Sequence, residues 1–313
     1  MTEKNLAAID LGTNSCRLLI SDQIGKTLYR TAVSTRMGEK MSAHNRFTDA
    51  AVMRGLECME AFAQKINEYH VEKYRAIATA ACRMAENGSE FVSRIKQQTG
   101  IELEIIDGYE EARLNLLGAI TNVKDTHAEY VVVYDLGGGS TEITLATKEN
   151  HPQILHTISI PFGARNGAEK FELGDYDKTK ASQLAAQISI YCHNFIKDSN
   201  FEKYRDKACC VATSSTPLRL AHFAKGWDSY ERERADGVVI KSDEFDHAIK
   251  KIQSMTAAER MNNNCIGASR ADIFNAACVI FSQIYRDLGI KEITTSFKSA
   301  VDGMIMELQN DTK

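Results

Sequence analysis

A chain of 313 residues and 34.8 kDa is long for a single hydrophobic core, so two domains of ordinary size are expected. With 43% hydrophobic and 26% charged residues, the composition is that of a soluble globular protein. A formal net charge of −4 and a pI near 6.1 argue against a broadly basic nucleic-acid-binding surface, although a whole-chain sum can hide a local cationic groove.

Met1-Thr2-Glu3-Lys4-Asn5 runs directly into an apolar strand pattern and lacks the long apolar core of a signal peptide. No later stretch reaches the length of a membrane-spanning helix, so a cytoplasmic protein with no membrane partner and no nucleic-acid partner is expected. The apolar run Leu6-Ala7-Ala8 enters Ile9-Asp10-Leu11-Gly12-Thr13-Asn14-Ser15, and a second strand-like run follows from Cys16 to Ser21. Val52, Leu56, Met59, Phe62, Ala63, Ile66 and Tyr69 recur at helical spacing after a capping Thr48, which predicts an amphipathic helix. The pattern then predicts a strand over 75–81, a helix over 89–98 stopped by Gly100, a strand over 101–106 and a helix over about 110–119.

Val131-Val132-Val133 next enters Tyr134-Asp135-Leu136-Gly137-Gly138-Gly139-Ser140, with another strand-like run over 142–147, so the first turn is echoed. Beyond it lie a predicted strand over 154–160, a helix carrying Leu184, Ile188, Tyr191 and Phe195, and a strand over 208–212. Thr213-Ser214-Ser215-Thr216-Pro217 reads as a loop into a helix, with Thr216 as cap and Pro217 at the first helical position. A helix over about 271–287 stopped by Gly289, a short strand and a helix from Ser299 close an α/β chain of two lobes. The eight cysteines contain no C-x-x-C and no zinc spacing, and they read as reduced, mostly buried thiols.

A strand ending in Asp-Leu-Gly and turning through small residues can serve a phosphate in two ways. Glycines let backbone N–H groups approach an anion, hydroxyls of Thr13, Ser15, Ser140 and Thr141 add donors, and the aspartate can hold a divalent cation. One such turn alone is most simply a glycine-rich hairpin with no ligand. Two copies 125 residues apart, each with Asp at the same place, point to a multi-phosphate ligand. Neither is of the Walker type, because no G-K-[ST] occurs, and neither is a G-x-G-x-x-G opening of a helix.

These residues resemble the acetate kinase, sugar kinase, chaperone and actin superfamily, and more narrowly the exopolyphosphatase and guanosine pentaphosphate phosphohydrolase family. The resemblance extends to Ala78-Thr79-Ala80-Ala81-Cys82-Arg83-Met84-Ala85-Glu86-Asn87 and to Ile106-Asp107-Gly108-Tyr109-Glu110-Glu111-Ala112-Arg113-Leu114, and more weakly to Arg270-Ala271-Asp272. It implies an α/β fold of two ribonuclease-H-like (actin-like ATPase) domains with a cleft between them. These would span residues 1–124 and 125–298, a helix of about 299–313 packing back on the first.

Carried over position by position, the resemblance makes Glu111 the general base. Gly12, Thr13, Asn14, Ser15, Arg83, Gly137, Gly138, Gly139, Ser140, Thr141 and Arg270 become phosphate contacts, and Asp10, Asp135 and Glu142 lie near a Mg²⁺, or Mn²⁺ in its place. By itself Glu111 would be a surface glutamate favoured in a first helical turn, and Arg83 and Arg270 ordinary exposed arginines. The implied activity is release of terminal phosphate from inorganic polyphosphate or guanosine pentaphosphate. The alternatives are a phosphotransferase of the same superfamily and a non-catalytic regulator that binds guanosine tetra- or pentaphosphate. A homodimer is expected only as the commonest closed assembly.

Three departures bear on substrate preference. Thr213-Ser214-Ser215-Thr216 stands where the family usually has a glycine-rich loop, and Ala300-Val301-Asp302-Gly303 where it often has Leu-Arg-Glu-Gly. Phe162-Gly163-Ala164-Arg165 lacks the family's common Cys.

Overall fold

Residues 6–11 and 131–136 are apolar at almost every position, the pattern of strands buried on both faces, and each becomes the centre of a sheet. A computed structural model describes residues 5–41, 45–121, 123, 127–149 and 152–310. The chain forms two compact units, Met1–Gly118 with Ala300–Lys313, and Ala119–Ser299. The expected boundary between residues 124 and 125 lies outside the described residues.

In the first unit β1 (Asn5–Leu11), β2 (Cys16–Ser21), β3 (Thr27–Val33), β4 (Val71–Ala78) and β5 (Glu104–Ile105) form a sheet in the order β3-β2-β1-β4-β5. The β1–β2 and β2–β3 pairs are antiparallel, and β1–β4 and β4–β5 are parallel. Helices α1 (Asp49–Glu68), α2 (Ala80–Met84), α3 (Gly88–Thr99) and α4 (Gly108–Ile120) come from the same half of the chain. One face of the sheet, with Ile9, Leu11 and Leu18, packs on Leu56, Met59 and Phe62 of α1 and Phe91 of α3. The other face, with Leu6, Ala8 and Leu19, packs on Leu114 of α4 and on Val301, Met304 and Ile305 of the C-terminal helix α11 (Ala300–Asn310).

The second unit repeats this plan. Its strands are β6 (Tyr130–Leu136), β7 (Thr141–Thr147), β8 (Ile154–Ile160), β9 (Ala208–Thr213), β10 (Val239–Lys241) and β11 (Glu292–Ser296), in the order β10-β11-β9-β6-β7-β8. With β6 in the place of β1, strands β6, β7, β8, β9 and β11 match the order and directions of the first sheet, and β10 adds an antiparallel edge. Around it lie α5 (Ala164–Lys170), α6 (Lys178–Asp198), α7 (Ser215–Lys225), α8 (Ser242–Gln253), α9 (Ala257–Asn262) and α10 (Phe274–Asp287). Both sheets are mixed and ribonuclease-H-like.

The Thr48 hydroxyl accepts from the Ala51 amide, and Gly100 ends α3 at φ 74°, both as the sequence predicts. Seven of the eight cysteines are buried and none is in a disulfide. Elsewhere the boundaries differ. The strand expected over 75–81 runs from Val71 to Ala78, because the Thr79 carbonyl captures the amides of Cys82 and Arg83 and starts α2. Of 101–106 only Glu104 and Ile105 pair with a neighbour. Helix α7 begins at Ser215 with Ser214 as the cap residue, so Thr216 and Pro217 sit in its first turn, where a missing N–H removes no helical bond. Helix α10 begins at Phe274, after turns at 267–273, and not at Ala271. Among the described residues no helix is long and apolar enough to cross a membrane.

Candidate active site

The two echoed segments fold into the same turn. Leu11 pairs with Cys16 and Leu136 with Thr141, and between them the Gly12 amide donates to the Ser15 carbonyl at 3.1 Å and the Gly137 amide to the Ser140 carbonyl at 3.0 Å. A Cβ on Gly12 would lie 2.9 Å from the Ser15 oxygen, and one on Gly137 3.0 Å from that of Ser140, so each turn closes this tightly only on glycine. The turn carbonyls are engaged by neighbouring donors. Thr13 and Asn14 accept from Gly38 and Arg36, Gly137 and Gly138 accept from Ala164 and Arg165, and Gly139 accepts from Asn166 Nδ2. The amides of Thr13, Gly138 and Gly139 donate to no acceptor among the described residues, which leaves donors for an anion.

Gly163 explains how α5 reaches the second turn. A Cβ there would stand 2.6 Å from the Gly137 oxygen and 2.7 Å from the Gly139 nitrogen, so only a glycine lets this backbone lie against the turn. Asn14, Ser15 and Ser140 are buried at their turns, whereas Thr141 is fully buried in β7 and its hydroxyl donates to the Phe162 carbonyl at 2.7 Å. Thr141 therefore braces the turn; its hydroxyl proton is already committed.

Asp10 and Asp135 occupy equivalent places but face different partners. Asp10 is opposite Arg17 in the β1–β2 register, and Arg17 Nη1 donates to its Oδ2 at 2.6 Å. Asp10 Oδ1 is buried with no hydrogen-bond partner among the described residues. Asp135 is opposite Glu142 in the β6–β7 register. Thr213 Oγ1 donates to Asp135 Oδ1 at 2.8 Å and Ser159 Oγ to Glu142 Oε1 at 2.8 Å.

Cross-strand partners on one face have Cβ atoms roughly 5 Å apart, so two buried carboxylates share one place. Mutual repulsion and lost hydration make that costly unless a cation or a proton neutralises them, and hard oxygen donors of this kind fit Mg²⁺ or Mn²⁺. Among the described residues no group of three or more His, Cys, Asp or Glu is gathered for a metal ion, and the guanidinium of Arg17 already supplies a cation at Asp10.

Glu111 lies in the first turn of α4, where Asp107 Oδ1 accepts from the Glu110 amide. It is 8% exposed, unlike a surface glutamate, and Arg83 Nη1 donates to its Oε2 at 2.9 Å and to the Ile106 carbonyl at 2.8 Å. The Thr79 amide donates to the Leu11 carbonyl and the Ile106 amide to that of Ala78, so Arg83 and Glu111 stand at the end of the sheet where the Gly12 turn lies. Glu110 faces away into a network with Arg75 and Arg113. Burial pushes the Cys82 thiol up to about 12, so it is no thiolate nucleophile at neutral pH.

Arg270 is half-buried in the turn after Gly267, its amide donating to the Gly267 carbonyl. Two residues on, Asp272 accepts from Arg165 Nη1 at 2.6 Å, and the Arg165 amide donates to Gly138. This chain of contacts ties the Arg270 segment to the second turn. Arg17, Ser159, Asn166 and Asp272 were not singled out from the sequence as parts of the site. Arg17 and Glu142 each stand seven residues after an Asp, and the strand pairing sets each opposite that Asp.

The Ppx/GppA phosphatase family model matches residues 20–311, so the first turn lies before the matched span. Over 316 residues the chain is 27% identical to the bifunctional 3-dehydroquinate synthase/phosphatase of Fusobacterium nucleatum subsp. nucleatum, with 96% of this chain and 46% of that protein covered. The chain thus spans about half of that relative. It is 27% identical over 326 residues to exopolyphosphatase 2 of Mycobacterium tuberculosis, with 98% and 99% covered. A solved exopolyphosphatase-like protein, 27% identical, superposes with a TM-score of 0.90 over 99% of this chain and 100% of its own.

Proposed function

The chain belongs to the Ppx/GppA phosphatase family, and on that premise we propose that it is an exopolyphosphatase that hydrolyses the terminal phosphate of inorganic polyphosphate. The observation that carries this reading is Glu111, a buried carboxylate at the start of α4 with one oxygen held by Arg83. Held in this way, the carboxylate can orient a water molecule and accept its proton as the water attacks phosphorus. The amides of Thr13, Gly138 and Gly139 and the hydroxyls of the two turns bind phosphate oxygens, with Arg83 and Arg270 adding positive charge. Asp135 and Glu142 would hold Mg²⁺ or Mn²⁺, whose chemistry is to neutralise charge on the transferring phosphoryl group. Each cycle shortens the polymer by one phosphate and leaves a new end.

The family resemblance and the name of the mycobacterial relative favour polyphosphate, with guanosine pentaphosphate as the second substrate to test. The test is phosphate release from both, side by side, in a titration of Mg²⁺ and Mn²⁺, with sizing of the remaining polymer. Release from polyphosphate with stepwise shortening supports the reading. Binding without release would favour a regulator, and ATP consumption only with a second acceptor would favour a phosphotransferase.

A further inference from the structure

Arg260 of the short helix α9 is fully buried, with 0% of its side chain exposed. A charge is seldom placed so deep unless its donors are met, and here the acceptors are mostly backbone. Nε donates to the Ala271 carbonyl at 3.1 Å, Nη1 to the Met255 carbonyl at 2.6 Å, and Nη2 to the Gly174 carbonyl and, at 2.9 Å, to Asp175 Oδ1. The Asp175 side chain is 79% exposed, so water screens the ion pair and the carbonyls supply most of the compensation for the buried charge. These carbonyls come from three separate connections: Gly174 lies between α5 and α6, Met255 between α8 and α9, and Ala271 in the turns before α10. The helix that carries Arg260 is itself pinned at its start, where the Thr256 amide donates to Glu259 Oε2 at 2.7 Å and the Glu259 amide to Thr256 Oγ1 at 3.2 Å.

Ala271 directly follows Arg270. Its carbonyl is held by Arg260, the next side chain, Asp272, is held by Arg165 Nη1 at 2.6 Å, and the Arg165 amide donates to the Gly138 carbonyl of the second turn. Arg270 is therefore followed by two fixed points, one tied to the interior and one to the second turn.

We propose that Arg260 is a positioning residue for phosphate binding, which touches no substrate and acts through Arg270 by fixing the carbonyl beside it. The proposal rests on the reading above that Arg270 binds the phosphate chain. An apolar side chain of similar length would fill the same space, but it would leave the carbonyls of Gly174, Met255 and Ala271 without these donors. The turn at 267–273 would then shift to regain partners, and the long Arg270 side chain carries that shift to the phosphate.

The test is a double-mutant cycle on the full chain: the wild type, Arg260→Met, Arg270→Met and the double variant. Each is measured for kcat and KM of phosphate release from polyphosphate, for the dissociation constant of polyphosphate by calorimetry, and for its melting temperature. Arg260→Met is expected to raise KM and the dissociation constant about tenfold while kcat stays within about twofold. In the Arg270→Met background the same substitution is expected to change either by less than about twofold, because no guanidinium is left to misplace. Arg260→Lys keeps the buried charge but cannot span the three carbonyls, so it should recover the melting temperature more than KM, and it replaces Arg260→Met in the cycle if that variant does not fold. Wild-type KM and affinity in Arg260→Met, or an equal loss in both backgrounds, overturns the proposal, and the second outcome marks a purely structural role. Wild-type affinity in Arg270→Met removes the premise and overturns it as well. A wild type that binds polyphosphate without releasing phosphate would sink the exopolyphosphatase reading alone, since the cycle is then read on the dissociation constant.

Discussion

Asp135 and Glu142 are direct cross-strand partners, both buried, at the mouth of the second turn. The same place in the first turn holds Asp10 and Arg17, an ion pair at 2.6 Å, so a duplicated hairpin neutralises its aspartate differently in each copy. If a divalent cation serves the second pair, Glu142→Gln raises the Mg²⁺ needed for half-maximal phosphate release about tenfold or more. In chelator the same substitution removes a like-charge contact and stabilises the fold by up to about 1 kcal/mol. A metal titration and a melt in chelator check the two halves, and an unchanged metal requirement would count against the pair as the cation site.

Adjacent glutamates in α4 are expected to fail in different ways. Glu111→Gln should lower turnover by about 10²–10⁴-fold with phosphate-chain binding and folding retained. Glu110→Gln should leave turnover nearly intact and alter stability. Hydrogen bonding from Arg113, then from Arg75, holds the Glu110 carboxyl below the usual carboxylate range. A depressed folded pKa means that its stabilising contribution is present above the unfolded value of about 4.3 and is lost as pH falls through the folded one. Acid melts of wild type and Glu110→Gln should therefore converge at low pH, with turnover measured in parallel. Turnover lost equally in both variants would contradict this division of roles.

What could be read from the sequence was whatever repeats or alternates. The two Asp-Leu-Gly turns share an offset of 125 residues, and helix α1 shows its apolar stripe and its Thr48 cap, so turns and helix alike follow from the letters. Register could not be read in this way. That Arg17 neutralises Asp10 follows only once β1 and β2 are paired, and that Ser159 serves Glu142 only once β8 joins β7. The conformation of Ser214 was equally hidden, because serine gives no sign that its φ is positive; the sequence suggested a cap two residues later. Short pieces such as α2 also escaped, since Ala80 and Ala81 suit a strand end or a helix start and the Thr79 carbonyl decides between them.

Gly163→Ala tests whether the close approach of α5 to the second turn matters. The new Cβ would meet only backbone atoms, at 2.6 to 2.7 Å, and backbone cannot rotate away as a side chain can. The expected result is a loss of about 1–3 kcal/mol in stability together with slower phosphate release, because the Gly138 and Gly139 amides move. Gly174→Ala, where a Cβ meets nothing within 4 Å, is the control and should match the wild type in both measurements. Equal behaviour of the two variants would remove the support for a rigid second turn.

In Ala300-Val301-Asp302-Gly303 Val301 stands in place of the family's cation while Asp302 keeps an acid, and the structure gives that acid a partner. Arg30 of β3 forms a two-pronged ion pair with Asp302, Nη1 reaching Oδ2 at 3.2 Å, with both side chains only 12% exposed. The acid at position 302 faces Arg30 at low exposure, so β3 and α11 are matched within this chain. One turn on, Glu307 meets Arg75 and Arg113, which fastens the other end of α11 to β4 and α4. Removing one partner of a largely buried pair strands the other, so Asp302→Ala should cost about 3 kcal/mol and Arg30→Ala a similar amount. The double variant should cost clearly less than the sum of the two. Denaturant midpoints for the four proteins measure that coupling, and strict additivity would show that the pair does not hold α11 against the sheet.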